Sequence, residues 1–187
     1  MKNYKIEKFR SLYNWKNLDK KYFTDLDFMD IEHNIKLLNR KKEIPEKVTM
    51  KEEIYSIAYF DKNGNLLRID KVGNSGVPTE TYLIWEKGLL KQVFTFRLGY
   101  RFRKKLTNKK ELYYIWEYQH DEMRRITKMI AISLPDSIYY DHGRTERHCR
   151  FEYDKKGLFR IYQTVIGIDI LKTNKGVLIY ERGKKIE

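Results

Sequence analysis

Short alternating segments separated by tight turns constrain the fold of this chain more than any other feature. Residues 54–60 and 66–72 read as strands, with apolar side chains two positions apart at Tyr55, Ile57 and Tyr59 and at Leu67 and Ile69, and a turn containing Asn63-Gly64 separates them. Alternation with a period of two is typical of a half-buried β-strand, and Asn-Gly favours a two-strand hairpin. These residues therefore predict a β-hairpin.

The same strand–turn–strand pattern returns along the rest of the chain. Further strands are predicted at 81–85, from 89 to about 102, and at 111–118, 123–132, 147–153, 158–165 and 176–180, with a charged loop over about 103–110. The turns within pairs are short, whereas parallel strands need crossover connections of about a dozen residues or more. We therefore expect an antiparallel meander of about nine strands.

A helical period precedes the strands. Thr24 resembles an N-cap residue, and Phe28, Ile31, Ile35 and Leu38 follow at helical spacing. The pattern predicts a helix over about 25–39, which ends before the proline at position 45 because proline cannot continue it. Residues 1–23 show no clean period. The predicted fold class is α+β and mainly β, with an N-terminal helical segment (1–50) that packs on an antiparallel hairpin region (51–187), as one structural domain.

The hairpin turns share a sequence pattern. Tyr59-Phe60-Asp61-Lys62-Asn63-Gly64-Asn65-Leu66 and Tyr153-Asp154-Lys155-Lys156-Gly157-Leu158 both run from an aromatic residue through Asp to Gly and Leu. Over residues 54–187 this pattern resembles the tyrosine-aspartate hairpin repeats of the Rhs family and of single-sheet proteins in bacterial polymorphic toxin and immunity systems. The resemblance implies an open, curved sheet without a catalytic motif, used to bind or neutralise a partner protein.

A basic ridge, residues 88–110, holds much of the net charge of +13. It contains no acidic residue, and its cations are Lys91, Arg97, Arg101, Arg103, Lys104, Lys105, Lys109 and Lys110. In an extended strand, alternation would place one set of side chains on an apolar face and another on a cationic face. The apolar set is Leu90, Phe94, Phe96, Leu98, Tyr100 and Phe102, and the cationic set is Lys91, Arg97, Arg101 and Arg103.

Such a ridge favours a polyanionic partner. The first hypothesis is an immunity-like or inhibitor-like protein of a bacterium or phage that binds an acidic face of a toxin or of a nucleic-acid-handling enzyme. The 15 tyrosines suit such an interface, because tyrosine has an apolar body and a polar tip. The alternative hypothesis is nonspecific binding of RNA or DNA. A third interpretation assigns the ridge no partner, because a solvated strand face would have the same composition.

One loop combines residue types that acid–base chemistry requires. His142, Arg144, Glu146 and His148 lie close together in sequence, as a ribonuclease-like site would need. A solvated loop has the same composition, so we expect a protein without enzymatic activity. The histidine spacing matches no familiar zinc pattern, and no phosphate-binding glycine motif occurs; we therefore expect no metal and no cofactor.

Cysteine usage and the N-terminus favour the cytoplasm. Cys149 is the sole cysteine, so no intrachain disulfide can form, and it lies in an alternating segment where we expect a buried, inert thiol. The first residues lack the apolar run of a signal peptide, and charges interrupt every candidate membrane span.

Overall fold

A computed structural model describes residues 4–24, 43–45, 54–73, 78–98, 110–134, 145–166, 177–181 and 184–185. These residues contribute one short helix, α1 (Ile6–Arg10), a single 3-10 turn at Trp15–Asn17, and twelve strands. The strands are β1 (Asp19–Thr24), β2 (Glu43–Ile44), β3 (Ile54–Phe60), β4 (Leu66–Gly73), β5 (Thr79–Glu86), β6 (Leu89–Leu98), β7 (Lys110–His120), β8 (Ile126–Ser133), β9 (Thr145–Asp154), β10 (Gly157–Ile166), β11 (Val177–Glu181) and β12 (Lys184–Lys185).

All strands join one open antiparallel sheet. From β3 to β12 each strand pairs with the next one in sequence, and β1 lies between β3 and β2 at the other edge. Tight turns therefore connect strands at one end of the sheet, and the longer connections leave from the opposite strand ends. The predicted antiparallel meander is confirmed.

The turn chemistry follows the predicted pattern. The Asp61 carboxylate accepts hydrogen bonds from the backbone amides of Asn63 and Asn65, both at 2.8 Å, and Gly64 has φ +78°. The turn between β7 and β8 lacks glycine, yet Asp121 accepts from the Arg125 amide and Arg124 itself takes φ +64°. Aspartate thus organises both of these turns by binding nearby amides, while glycine lowers the cost of positive φ.

Both faces of the sheet bury apolar side chains. On one side, here called the α1 face, Ile6 and Phe9 of α1 pack against Tyr82, Phe94 and Phe96. The other side, the opposite face, holds a larger cluster. Its most deeply buried members, each at most 5% exposed, are Phe23, Ala58, Leu66, Ile69, Leu83, Leu90, Val93, Trp116, Tyr118, Met129 and Cys149. Because each face of the sheet covers a cluster of buried residues, the central strands carry apolar side chains on both sides.

Two predictions about the elements need correction. The strand count of about nine is wrong because β1, β2 and β12 were missed: β1 reads Asp-Lys-Lys-Tyr-Phe-Thr without alternation, and two-residue strands cannot show a period. Among the described residues, the N-terminal segment contributes only the five-residue α1, in which Ile6 and Phe9 are buried. The helix predicted over 25–39 lies outside the residues described.

The predicted faces of β6 are also wrong in part. Between Leu90 and Gln92 the register with β5 shifts, so Lys91 is an extra residue in a β-bulge. Leu90 therefore joins the cluster on the opposite face, whereas Phe94 and Phe96 lie on the α1 face. The strand has no purely cationic side, because buried Val93 and Thr95 share the parity of Arg97.

Candidate binding surface

The described part of the basic ridge centres on Arg97. The guanidinium carbon of Arg97 lies 3.4 Å from the centroid of the Tyr113 ring, and the Tyr113 and Tyr114 rings are 4.2 Å apart. A register shift between β6 and β7 makes Tyr113 an extra residue in a second bulge. All three side chains are half-buried. We name Arg97, Tyr113 and Tyr114 the Arg97 cluster.

Lys110 is engaged inside the fold. Its ammonium group donates to Glu80 Oε1 at 2.7 Å, and the side chains of Lys110 and Glu80 are 17% and 6% exposed. Arg10 at the end of α1 also reaches Glu80, with Nη2 at 2.5 Å and Nε at 3.1 Å from the two carboxylate oxygens. Glu80 therefore ties α1 and the start of β7 to β5.

A second carboxylate stands beside Glu80. Asp70 is its register partner on β4, and Arg68 donates two hydrogen bonds to Asp70, at 2.6 and 2.7 Å. The Arg68 guanidinium also lies 5.2 to 5.3 Å from the ring centroids of Tyr59, Tyr82 and Trp15. This set forms a partly buried network with alternating charges, which includes Arg10, Arg68, Asp70, Glu80, Lys110, Tyr59, Tyr82 and Trp15.

The network moves the pKa values of its acids in different directions. Burial acts to raise the pKa of Glu80, but hydrogen bonds from Arg10, Lys110 and Tyr82 outweigh it and lower that pKa to about 2. Burial raises the pKa of Asp70, and the hydrogen bond from Arg68 offsets this only in part. Burial and the charge of Asp70 raise the pKa of Tyr59 to about 12. Glu80 is thus the firmly ionised centre.

The remaining cations of the ridge do not gather around Arg97 in the described ranges. Lys91 lies near the tight-turn end of β6, six residues from Arg97, which corresponds to about 20 Å along a strand. Burial and the positive charge of Lys91 lower the pKa of His120 there. The other predicted partner-binding residues fall outside the described residues: Arg101, Arg103, Lys104, Lys105 and Lys109.

Of the candidate catalytic residues, the structure brings two together. Glu146 Oε2 lies 3.1 Å from His148 Nε2 on β9, and both side chains are half-buried. Cys149 is buried with Phe151 on the opposite face, which confirms the predicted alternation and the buried thiol. His142 and Arg144 lie outside the description. The Glu146–His148 contact by itself orients an imidazole without supplying a second reactive group.

Sequence reasoning missed the Glu80 network. Its only local signal is the repeated i,i+2 spacing of polar residues, Arg68 with Asp70 and Glu80 with Tyr82, which places each pair on one side of a strand. The contribution of Arg10 has no such signal, because it depends on how α1 crosses the sheet.

Comparisons with protein-family models, with curated proteins and with solved structures found no match to this chain. Within the ranges that the structure describes, no three His, Cys, Asp or Glu side chains are grouped so as to hold a metal ion. In the same ranges no helix has the length and apolar character required to cross a membrane.

Proposed function

We propose that this chain is a binding protein without enzymatic activity that recognises an acidic face of a partner protein through the basic ridge. The Arg97 cluster carries the proposal. Arginine and tyrosine are enriched among residues that dominate protein interfaces, and here Arg97 lies over the Tyr113 ring, the three side chains are half-buried, and both strands are central in the sheet. The resemblance of the hairpin turns supports an immunity-like or inhibitor-like role in a bacterium or phage.

The Arg97 cluster lies on well-packed strands, which suits a rigid contact point for a partner. Phe96 and Ile115, on the same two strands as Arg97 and Tyr113, are 1% and 8% exposed. Five further cations of the ridge lie between Leu98 and Lys110, in the connection that follows Arg97. A rigid aromatic anchor that is followed in the sequence by five cations suits a partner whose acidic groups steer the encounter and whose surface packs against tyrosine.

Charge reversal tests the proposal. Full-length protein with Arg97→Glu, Arg101→Glu and Arg103→Glu is compared with a control that reverses Lys16, Lys62 and Lys155, which are exposed and outside the ridge. Partners captured from the native host are purified, and their dissociation constants are measured directly. We expect the ridge variant to bind a purified acidic protein at least tenfold more weakly and the control to bind within about twofold, because rim charges contribute little.

Two results would overturn the proposal. Equal weakening by both triple variants would show that only the total charge matters. Nuclease-sensitive material that the unmodified chain captures and the ridge variant does not, with a log–log salt slope of about 0.7 to 0.9 per phosphate contact, would favour nucleic-acid binding by the ridge instead. An Arg97→Lys variant keeps the charge but removes the stacked fork, so it separates a defect in binding from a defect in folding if the triple variant is unstable.

A further inference from the structure

A row of polar side chains crosses four neighbouring strands on the α1 face, away from the basic ridge. Gln119 on β7 pairs with Lys128 on β8, Lys128 pairs with Arg150 on β9, and Arg150 pairs with Tyr162 on β10. Directly paired residues of antiparallel strands point to the same side, with Cβ atoms about 5 Å apart. We name these four residues the Lys128–Arg150 row.

Two like charges stand opposite each other in this row. Such pairs destabilise a sheet, and neither register neighbour in the row is acidic. One carboxylate, Glu152, contacts Arg150 itself at 3.2 Å, whereas Glu146, farther along β9, contacts His148 at 3.1 Å. No described residue forms an ion pair with Lys128. No carboxylate of a described residue therefore lies between Lys128 and Arg150, and an anion bound there would offset the repulsion between the two cations.

The Arg150 side chain is held in place and remains accessible. Its guanidinium carbon lies 4.7 Å from the centroid of the Tyr162 ring, while the side chain is 65% exposed. Because one face of the planar guanidinium rests on the tyrosine ring, its other face can stack on a second planar group such as a nucleobase. Glu152 occupies one edge donor, Nη2, at 3.2 Å, and the other guanidinium donors together with the Lys128 ammonium match the acceptors of a tetrahedral oxyanion.

We propose that the Lys128–Arg150 row binds single-stranded nucleic acid, with one phosphate between Lys128 and Arg150 and a base on the guanidinium of Arg150. Four strands at about 4.8 Å spacing span about 14 Å, which accommodates two nucleotides. The site is separate from the proposed protein-binding ridge, since it lies on β7–β10 and uses none of the ridge residues.

The test uses the full chain and a fluorescently labelled 12-nucleotide single-stranded RNA, with binding followed by anisotropy over a range of salt concentrations. The test variant is Lys128→Gln with Arg150→Gln. Its matched control is Lys155→Gln with Lys156→Gln, which removes the same charge from an exposed turn on the same β9–β10 hairpin. We expect the test variant to bind at least tenfold more weakly, with the salt slope smaller by about 0.7 for each phosphate that it no longer neutralises, and the control to change less than twofold.

Stability separates binding from folding. Because Lys128→Gln removes a like-charge repulsion, we expect its melting temperature to equal or slightly exceed that of the unmodified chain while its affinity falls. The same fall in affinity should appear when the row is substituted in the Arg97, Arg101 and Arg103 reversal background, which makes failure of this site distinguishable from failure of the ridge.

Three outcomes would overturn the proposal. Equal effects of test and control variants would show that binding follows total charge. Competition by polyglutamate as strong as by RNA would indicate a surface for carboxylates. Inorganic pyrophosphate that competes as well as RNA at equal phosphate concentration would show that the base contributes nothing.

Discussion

Glu80 offers the sharpest test of how this sheet holds its N-terminal segment. The Glu80→Gln substitution preserves the shape of the side chain and removes its charge from Arg10 and Lys110. The pKa of Glu80 falls from 4.5 to about 2 in the folded chain, and each pKa unit corresponds to about 1.4 kcal/mol. The ionised form is therefore favoured by about 3 kcal/mol, a value that fits a side chain only 6% exposed.

We expect Glu80→Gln to lower the free energy of unfolding by about 3 kcal/mol at neutral pH, or the melting temperature by about 6–12 °C for a chain of this size. Urea unfolding followed by circular dichroism measures the difference. The control is Glu43→Gln, which breaks the exposed ion pair between Glu43 and Lys21 at 3.4 Å and should cost less than about 1 kcal/mol.

The same substitution has a predicted pH dependence. Because folding lowers the pKa of Glu80, its contribution is complete above pH 4.5 and disappears as the pH falls toward 2. The stability difference between the unmodified chain and Glu80→Gln should therefore shrink across this window. Equal costs for Glu80→Gln and Glu43→Gln, or a difference that stays constant down to pH 2, would refute the role assigned to the network.

Two further predictions concern buried polar groups. The hydroxyls of Thr81 and Thr95 lie 2.9 Å apart in the interior, so Thr95→Val should lower the free energy of unfolding by about 1–3 kcal/mol. The double Thr81→Val, Thr95→Val variant should regain most of that stability, because no hydroxyl is left unpaired. A double variant as unstable as the sum of the two single variants would contradict this. The Cys149 thiol is 4% exposed, so its labelling by a thiol reagent should be at least a hundredfold slower in the native chain than in urea, and rapid native labelling would contradict its burial.

The sequence predicts what depends on neighbours along the chain. Asp61 and Gly64 act within one turn, so their pattern alone places the hairpin. The bulge at Lys91 depends on the register with β5, and it moves Leu90 to the other face of the sheet, where strict alternation does not place it. The position of Arg10 on Glu80 depends on the path of α1 across the sheet, which no local period encodes.

The use of each cation follows from its register rather than from local charge density. Lys110 belongs to the basic ridge, yet its partner across the sheet surface is a buried carboxylate, so it stabilises the fold. Lys128 lies in a segment of ordinary composition, yet its register partner is Arg150, so the sheet places two positive charges side by side and gains nothing from their proximity. A charge that costs stability without an internal partner is a better indication of a ligand than an abundant charge. By that criterion Lys128 marks the more informative surface, although its neighbour Arg150 is paired with Glu152 and the ridge contains more cations.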